Sequence, residues 1–255
     1  MKYVISDIHG NLKLFNEILG KIGLKDSDEL YVLGDMIDRH PHGIEIMMIL
    51  MNMPNARVVL GNHEWMMMRA LGFPRKEDTS YRAYKKLEYR SIWFYNGAKR
   101  TYQAWNRLSA GKQGQIKAWL QNLPLEYDVE TEKGKFKLVH AAPVCLYDKY
   151  HTDQADALEY AVWDRDTLKY LPDVDGRTIL FGHTITGDFI DDFMECSVAA
   201  FGGDSGRSFW IGIDCGAGLP DDEPGYCGRL ACVNLDTLDA KYTDPVSVKG
   251  MGMVS

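Results

Sequence analysis

Residues 31–40 read YVLGDMIDRH: an apolar, β-prone run breaks at Gly34 into Asp35, Asp38, Arg39 and His40. Charge gathered just past a buried strand is costly unless each group is paired, hydrogen-bonded or bound to a cation. The pattern recurs. KYVIS (2–6) leads into Asp7-Ile8-His9-Gly10, ARVVL (56–60) into Gly61-Asn62-His63-Glu64, KFKLV (135–139) into His140, and RTILF (177–181) into Gly182-His183. Four of the seven histidines stand directly at such strand ends. Strands separated by helical stretches predict an α/β sheet, with ligands collected where the loops leave the strands.

The connecting segments read as helices. NLKLFNEILGKIG (11–23) places Leu12, Phe15, Leu19 and Ile22 at helical spacing, with Asn11 as N-cap. GIEIMMILMNM (43–53) stops near Pro54, and WMMMRALGF (65–73) reads as a third helix with its methionines on a packed face. Residues 74–123 interrupt the alternation and are rich in aromatic and basic side chains. They are expected to form a mostly helical insertion capping the sheet ends, with its aromatics in an apolar core of its own rather than on a substrate wall. LEYDVE and KFKLV predict a hairpin around Lys133-Gly134, and SFWIGID and RLACVNLD predict two strands joined by a Pro/Gly/Asp-rich loop. The tail VSVKGMGMVS is expected to fray.

Bulk properties bound the function. A chain of 255 residues, 45% hydrophobic and 25% charged, is an ordinary globular protein able to bury a sizeable core. A net charge of −7 argues against a broad nucleic-acid surface but not against a local positive site. Neither a signal peptide nor a membrane-spanning apolar run is evident, and five cysteines without zinc-type pairing read as reduced thiols in a cytoplasmic protein. One domain, residues 1–255, is expected; oligomeric state is not readable from the sequence.

Asp7, His9, Asp35, Asn62, His140 and His183 are oxygen and imidazole donors with no thiolate among them. That mixture suits Mn²⁺ first, with Fe or Zn²⁺ as alternatives. Residues two apart project to one side of a strand, so Asp7 and His9 can reach one ion together. So many donors exceed one open catalytic ion and fit two ions about 4 Å apart with one carboxylate between them. Two divalent ions, two aspartates and a bridging hydroxide leave a single net positive charge on an acidic protein. Arg39 and Arg165 reinforce it with the fork geometry that grips phosphate oxygens. Water shared by two cations is deprotonated near neutral pH and is expected to attack phosphorus directly. In this reading Asp35 is the shared ligand, and Asp38 orients His63 and favours its imidazolium. His63, beside a ligand without being one, is then the general acid that protonates the leaving alkoxide.

Taken together, Asp7-Ile8-His9-Gly10, Gly34-Asp35-Met36-Ile37-Asp38-Arg39, Gly61-Asn62-His63-Glu64, His140-Ala141 and Gly182-His183-Thr184 resemble the signature blocks of the calcineurin-like metallophosphoesterases. Within these, the chain looks most like the bacterial and phage phosphoprotein phosphatases. IGIDCGA…GRLACVNLD resembles the closing hairpin. The resemblance implies an α/β, four-layer αββα sandwich with the dinuclear site at one sheet edge. It implies Asp7, His9 and Asp35 as ligands of the first metal, and Asp35, Asn62, His140 and His183 as ligands of the second. Arg39 matches a phosphate-binding arginine, and Asp38 with His63 an acid dyad. Trp163-Asp164-Arg165 is similar to a block carrying a second such arginine, and Tyr226 to a tyrosine near the active site. Two positions depart from the pattern: His40 replaces the usual glycine after the arginine, and Ala142 a glycine after the His140 block. His40 and His42 are thereby candidate substrate contacts, although histidines in an exposed, Pro-containing loop are more often simply solvated.

The reading that results is a metal-dependent phosphomonoesterase acting on phosphoserine or phosphothreonine in proteins and on small aryl phosphates. The alternatives are a symmetrical dinucleoside polyphosphate hydrolase of the diadenosine-tetraphosphate type, and a regulatory protein that only recognises phosphate.

Overall fold

Alternating side chains in the short strands bury both faces of each strand. The computed structural model describes residues 1–190, 196–202, 209–219 and 228–244. In β1 (Lys2–Ile5), Ile5 belongs to one apolar cluster and Val4 to another; in β2 (Glu29–Val32), Leu30 and Val32 join the first and Tyr31 the second. The period of two thus sends successive side chains into different layers. β3 (Ala56–Val58) completes a parallel β1-β2-β3 core, to which β9 (Ala231–Asn234) and then β10 (Ala240–Tyr242) add antiparallel, in the order β10-β9-β1-β2-β3. The second sheet has the order β4-β5-β6-β8-β7. β4 (Glu126–Thr131) and β5 (Gly134–Val139) form the expected hairpin; β6 (Thr178–Phe181) and β8 (Phe209–Gly212) run parallel to β5, and β7 (Ala199–Gly202) pairs antiparallel with β8.

Val4, Tyr31 and Val233 of the first sheet pack face to face with Phe136, Leu138 and Leu180 of the second. The first sheet's outer face is covered by α1 (Leu12–Ile22), α2 (Gly43–Asn52) and α3 (Asn62–Leu71), through side chains such as Phe15, Ile18, Met47 and Met67. The second sheet's outer face packs Ile179, Phe181 and Trp210 against Leu146 and Tyr160, from the segment containing α7 (Tyr147–Tyr150) and α8 (Ala157–Trp163). This is the four-layer α/β arrangement implied by the resemblance. Asn11 caps α1 by accepting from the Leu14 N–H at 3.2 Å, and Met66, Met67 and Met68 are all buried. The buried ridge of α1 is Leu14, Phe15, Ile18 and Ile22; Leu12 and Leu19 flank it, only partly buried.

One expectation is corrected. The strands in SFWIGID and RLACVNLD do not form a closing hairpin: β8 lies between β6 and β7, while β9 lies between β1 and β10 in the other sheet. Only a single parallel bridge, Gly216 to Arg229, joins their flanks among the described residues. Trp210 of β8 finds its apolar partners in the outer layer beside Phe181, and Val233 of β9 finds its own between the sheets. Alternation alone does not specify which sheet a strand joins. The tail from residue 245 and Tyr226 lie outside the described residues.

Residues 74–123 contain α4 (Lys86–Tyr95), α5 (Lys99–Trp105) and α6 (Ala110–Gln121). Their Trp93, Trp105, Ile116 and Leu120 share one apolar cluster with Ile5, Met47 and Trp65 of the main body. No helix among the described residues is long and apolar enough to cross a membrane.

Candidate metal centre

The strands β1, β2, β3, β5 and β6 all deliver their following residues to one edge. The chain must turn sharply there. Asp7, His9, Asp35, Asp38, Arg39 and His183 all adopt positive φ, between 48° and 71°. Asp and His tolerate the left-handed region better than most residues, yet such conformations persist only where surrounding structure enforces them. Gly61 fits a tighter constraint: a Cβ there would press on the Asp35 carboxylate and backbone and lie 2.7 Å from Glu64 Oε2.

The hydrogen bonds fix which imidazole nitrogens carry protons. His140 Nδ1 lies 2.6 Å from the Leu33 carbonyl, His9 Nδ1 lies 3.0 Å from the Ile37 carbonyl, and His183 Nε2 lies 3.2 Å from the Trp163 carbonyl. A carbonyl only accepts, so each of these nitrogens donates and the opposite nitrogen is a bare lone pair. Those lone pairs converge on other acceptors. His140 Nε2 is 2.8 Å and His183 Nδ1 is 3.0 Å from Asn62 Oδ1; His140 Nε2 is 3.5 Å and His9 Nε2 is 3.6 Å from the Asp35 carboxylate. Turning the Asn62 amide would offer donors to His140, His183 and Asp35. It would leave His9 facing Asp35 with no proton between them. A cation held among these donors would satisfy the facing lone pairs, and a backbone carbonyl behind each histidine is the usual support of a metal-ligating imidazole. The two sets whose donor atoms lie within 4.8 Å of one another, His9-Asp35-His63 and Asp35-His140-His183, share Asp35. Asp7 stands at the same edge, accepting from the His183 N–H at 3.0 Å and from the Ser6 hydroxyl.

Charge follows the same geometry. Burial drives the protonation equilibria of His9 and His183 well below the usual histidine range and lowers His140 too, which keeps their lone pairs available. Burial, then Asp214 and Asp35, raises Asp7 well above the ordinary carboxylate range. His63 behaves differently. Burial pulls it down, but Asp35 and Asp38 outweigh that and favour its protonated form. Its Nδ1 lies 2.7 Å from Asp38 Oδ2, and its ring meets that of His9 edge-on with centroids 4.6 Å apart.

The exposed arginines lie at the rim. Arg39 has its guanidinium beside Gly218 and near His9, and Arg165 donates to the His183 carbonyl at 3.3 Å. His40 directs Nε2 to the Leu219 carbonyl at 3.3 Å, and exposed His42 pairs with Glu45 at 2.9 Å.

Sequence reasoning quoted Glu64 without giving it a role. Its buried carboxylate accepts the backbone N–H groups of Asp35 and Met36, each at 2.9 Å, and of Ile37 at 3.3 Å, and so shapes the turn that presents Asp35. Burial and Asp35 push it up to about 8. Asp214, two residues beyond β8, was also missed; it is buried near Asp7 and is pushed up to about 6, mainly by burial. A carboxylate at another strand end was the available signal.

The family model described as calcineurin-like phosphoesterase matches residues 3–199. The chain belongs to the calcineurin-like phosphoesterase family. Among curated relatives of this phosphoesterase, serine/threonine-protein phosphatase 2 of Salmonella typhimurium is 28% identical over 203 residues, covering 76% of this chain and 83% of that one. A symmetrical bis(5'-nucleosyl)-tetraphosphatase of Aromatoleum aromaticum is 28% identical over 141 residues, and the match spans 54% of this chain but only 43% of the relative's length. Two solved structures share the fold: a metallophosphoesterase from Sphaerobacter thermophilus (TM-score 0.52, 18% identity, 97% of this chain and 89% of that one), and a protein serine/threonine phosphatase from Saccharomyces cerevisiae (0.51, 14%, 96% and 82%).

Proposed function

We propose that this phosphoesterase is a metal-dependent phosphomonoesterase acting on phosphoserine and phosphothreonine in proteins. One observation carries the reading: bare imidazole and carboxamide lone pairs from separate turns converge on the Asp35 carboxylate, with two exposed arginines beside them. Asp7, His9 and Asp35 would hold one ion, and Asp35, Asn62, His140 and His183 a second, Mn²⁺ being the first candidate. When bound, the ions supply Lewis acidity and make water nucleophilic near neutral pH. Arg39 and Arg165 bind and orient the phosphoryl oxygens. Asp38 holds His63 with Nδ1 protonated, leaving Nε2 to deliver a proton to the departing oxygen. The match spanning most of the Salmonella protein phosphatase supports this substrate over the alternative.

A second reading, hydrolysis of symmetrical dinucleoside polyphosphates, draws support from a cleft of about 770 Å³ lined by Trp65, Tyr84, Tyr89 and Trp163. Trp163 forms a wall shared with the site, its ring 5.9 Å from that of His183. Trp65 and Tyr89 already stack on the Arg69 guanidinium, so exposed Tyr84 and half-buried Trp163 are the faces that would meet a nucleobase.

A parallel assay separates the readings. Purified protein with Mn²⁺ is offered a phosphoserine peptide, diadenosine tetraphosphate and an aryl phosphate at equal concentrations. We expect the phosphopeptide and aryl phosphate to turn over faster than the dinucleotide. A preference for the dinucleotide of more than about tenfold, about 1.4 kcal/mol in transition-state binding, would establish the second reading instead. Bound metal with no turnover of any of the three would mean a phosphate-recognising protein.

A further inference from the structure

We infer that the helical insertion is part of the catalytic apparatus, with Trp93 as a positioning residue for the proton donor His63; this rests on the acid role proposed above. Three groups of residues 74–123 grip the turn at Asp38 and Arg39. The Trp93 indole N–H of α4 donates to Asp38 Oδ2 at 2.8 Å, the Asp38 N–H donates to Thr101 Oγ1 of α5 at 3.0 Å, and the Arg39 N–H donates to the Gly97 carbonyl at 3.2 Å. Both gripped residues have positive φ, 71° and 64°, so the turn depends on outside support.

The chemistry of the Trp93 contact is specific. Asp38 Oδ2 already faces His63 Nδ1 at 2.7 Å, and the indole reaches the same oxygen. The other oxygen, Oδ1, is buried without a hydrogen-bond partner among the described residues. The Asp38 carboxylate is therefore oriented by two donors on one atom, and the indole is the one of the two that the helical insertion supplies. Trp93 is fully buried, and its ring meets Tyr102 and Phe94 edge-on with centroids 6.3 and 6.0 Å away. Its N–H thus has a fixed direction. Without it, the carboxylate is free to rotate toward the unpartnered side, and His63 loses the orientation that aims Nε2 at the leaving group. A group that acts through proton delivery matters most when the leaving group is a poor one.

The test uses Mn²⁺-loaded full chain and two substrates, 4-nitrophenyl phosphate with a good leaving group and an unactivated alkyl phosphate with a poor one. Trp93→Phe keeps an aromatic ring, smaller than the indole, and removes the N–H. It is expected to lower kcat on the alkyl ester about tenfold, the effect of one hydrogen bond to a charged group, and on the nitrophenyl ester less than about twofold. KM and metal content should stay at wild-type values. Trp105→Phe, in the same apolar cluster but away from Asp38, serves as control and should show no such asymmetry. If Trp93→Phe does not fold, as judged by thermal unfolding, Thr101→Val is read by the same criterion. An equal loss on both esters for the Trp93 or Thr101 variant, beside a leaving-group-dependent loss in His63→Asn, overturns the inference alone. An equal loss on both esters in His63→Asn as well overturns the acid role itself.

Discussion

Asp35→Ala is expected to abolish turnover, with a loss of at least about 10⁴-fold, the scale on which enzymes respond to deletion of a group on which the whole reaction depends. Asp35 is the only residue common to both candidate ligand sets. It also accepts the His63 backbone N–H at 3.0 Å from the start of α3, and the desolvation that burial imposes on its charged carboxylate is outweighed by His140 and His63. Removing it would take the shared carboxylate from both candidate ligand sets and leave His9, His140 and Asn62 with lone pairs facing one another. The readout that separates this from simple misfolding is linkage. A ligand that binds only the folded state at a hundredfold excess over its Kd adds about 2.7 kcal/mol of stability. For a chain of this length that is a rise in Tm of roughly 5–10 °C. Wild-type protein should show such a rise with Mn²⁺, and Asp35→Ala should not. A variant that keeps both its manganese and its Mn²⁺-dependent Tm would remove Asp35 from the centre of the site.

His63→Asn is expected to behave in the opposite way toward metal. Turnover of an alkyl ester should fall by about 10²- to 10⁴-fold, the usual contribution of a general acid. Manganese content should be unchanged. Geometry makes this a sharp test, because His63 also lies in one of the two metal-compatible sets, with Nε2 3.8 Å from Asp35 Oδ2. Its Nδ1, however, faces a carboxylate rather than the backbone carbonyl that stands behind His9, His140 and His183. Asp35 and Asp38 also favour its charged form, and a protonated imidazole is a donor rather than a ligand. Loss of manganese in His63→Asn would reassign it as a ligand and leave the leaving group without an identified proton source.

The sheet framework was legible because each parallel strand is a short apolar run that ends abruptly in Asp, Asn or His, and composition changes of that kind survive without tertiary information. The donor set was legible for the same reason. The residues bonded to the donors were less so. The Glu64 contacts reach back to the turn at Asp35 from the first turn of α3, and Trp93 reaches Asp38 across 55 positions of chain. Neither separation has a period that a sequence pattern reveals. β7 and β10 went unread because AAFG and AKY are too short and mixed to show alternation, and are strands only through pairing with β8 and β9. The false hairpin between β8 and β9 has a related origin: adjacency in sequence favours pairing, but here the two strands serve different sheets.

The central claim is that Asp35 lies between two cations. Crystals grown with excess Mn²⁺ and measured at the manganese absorption edge test it most directly. Two anomalous peaks about 4 Å apart, one toward His9 and Asp7 and the other toward Asn62, His140 and His183, are the predicted result. A map with no peak at Asp35, its neighbours closed up through hydrogen bonds from a turned Asn62 amide, would contradict it.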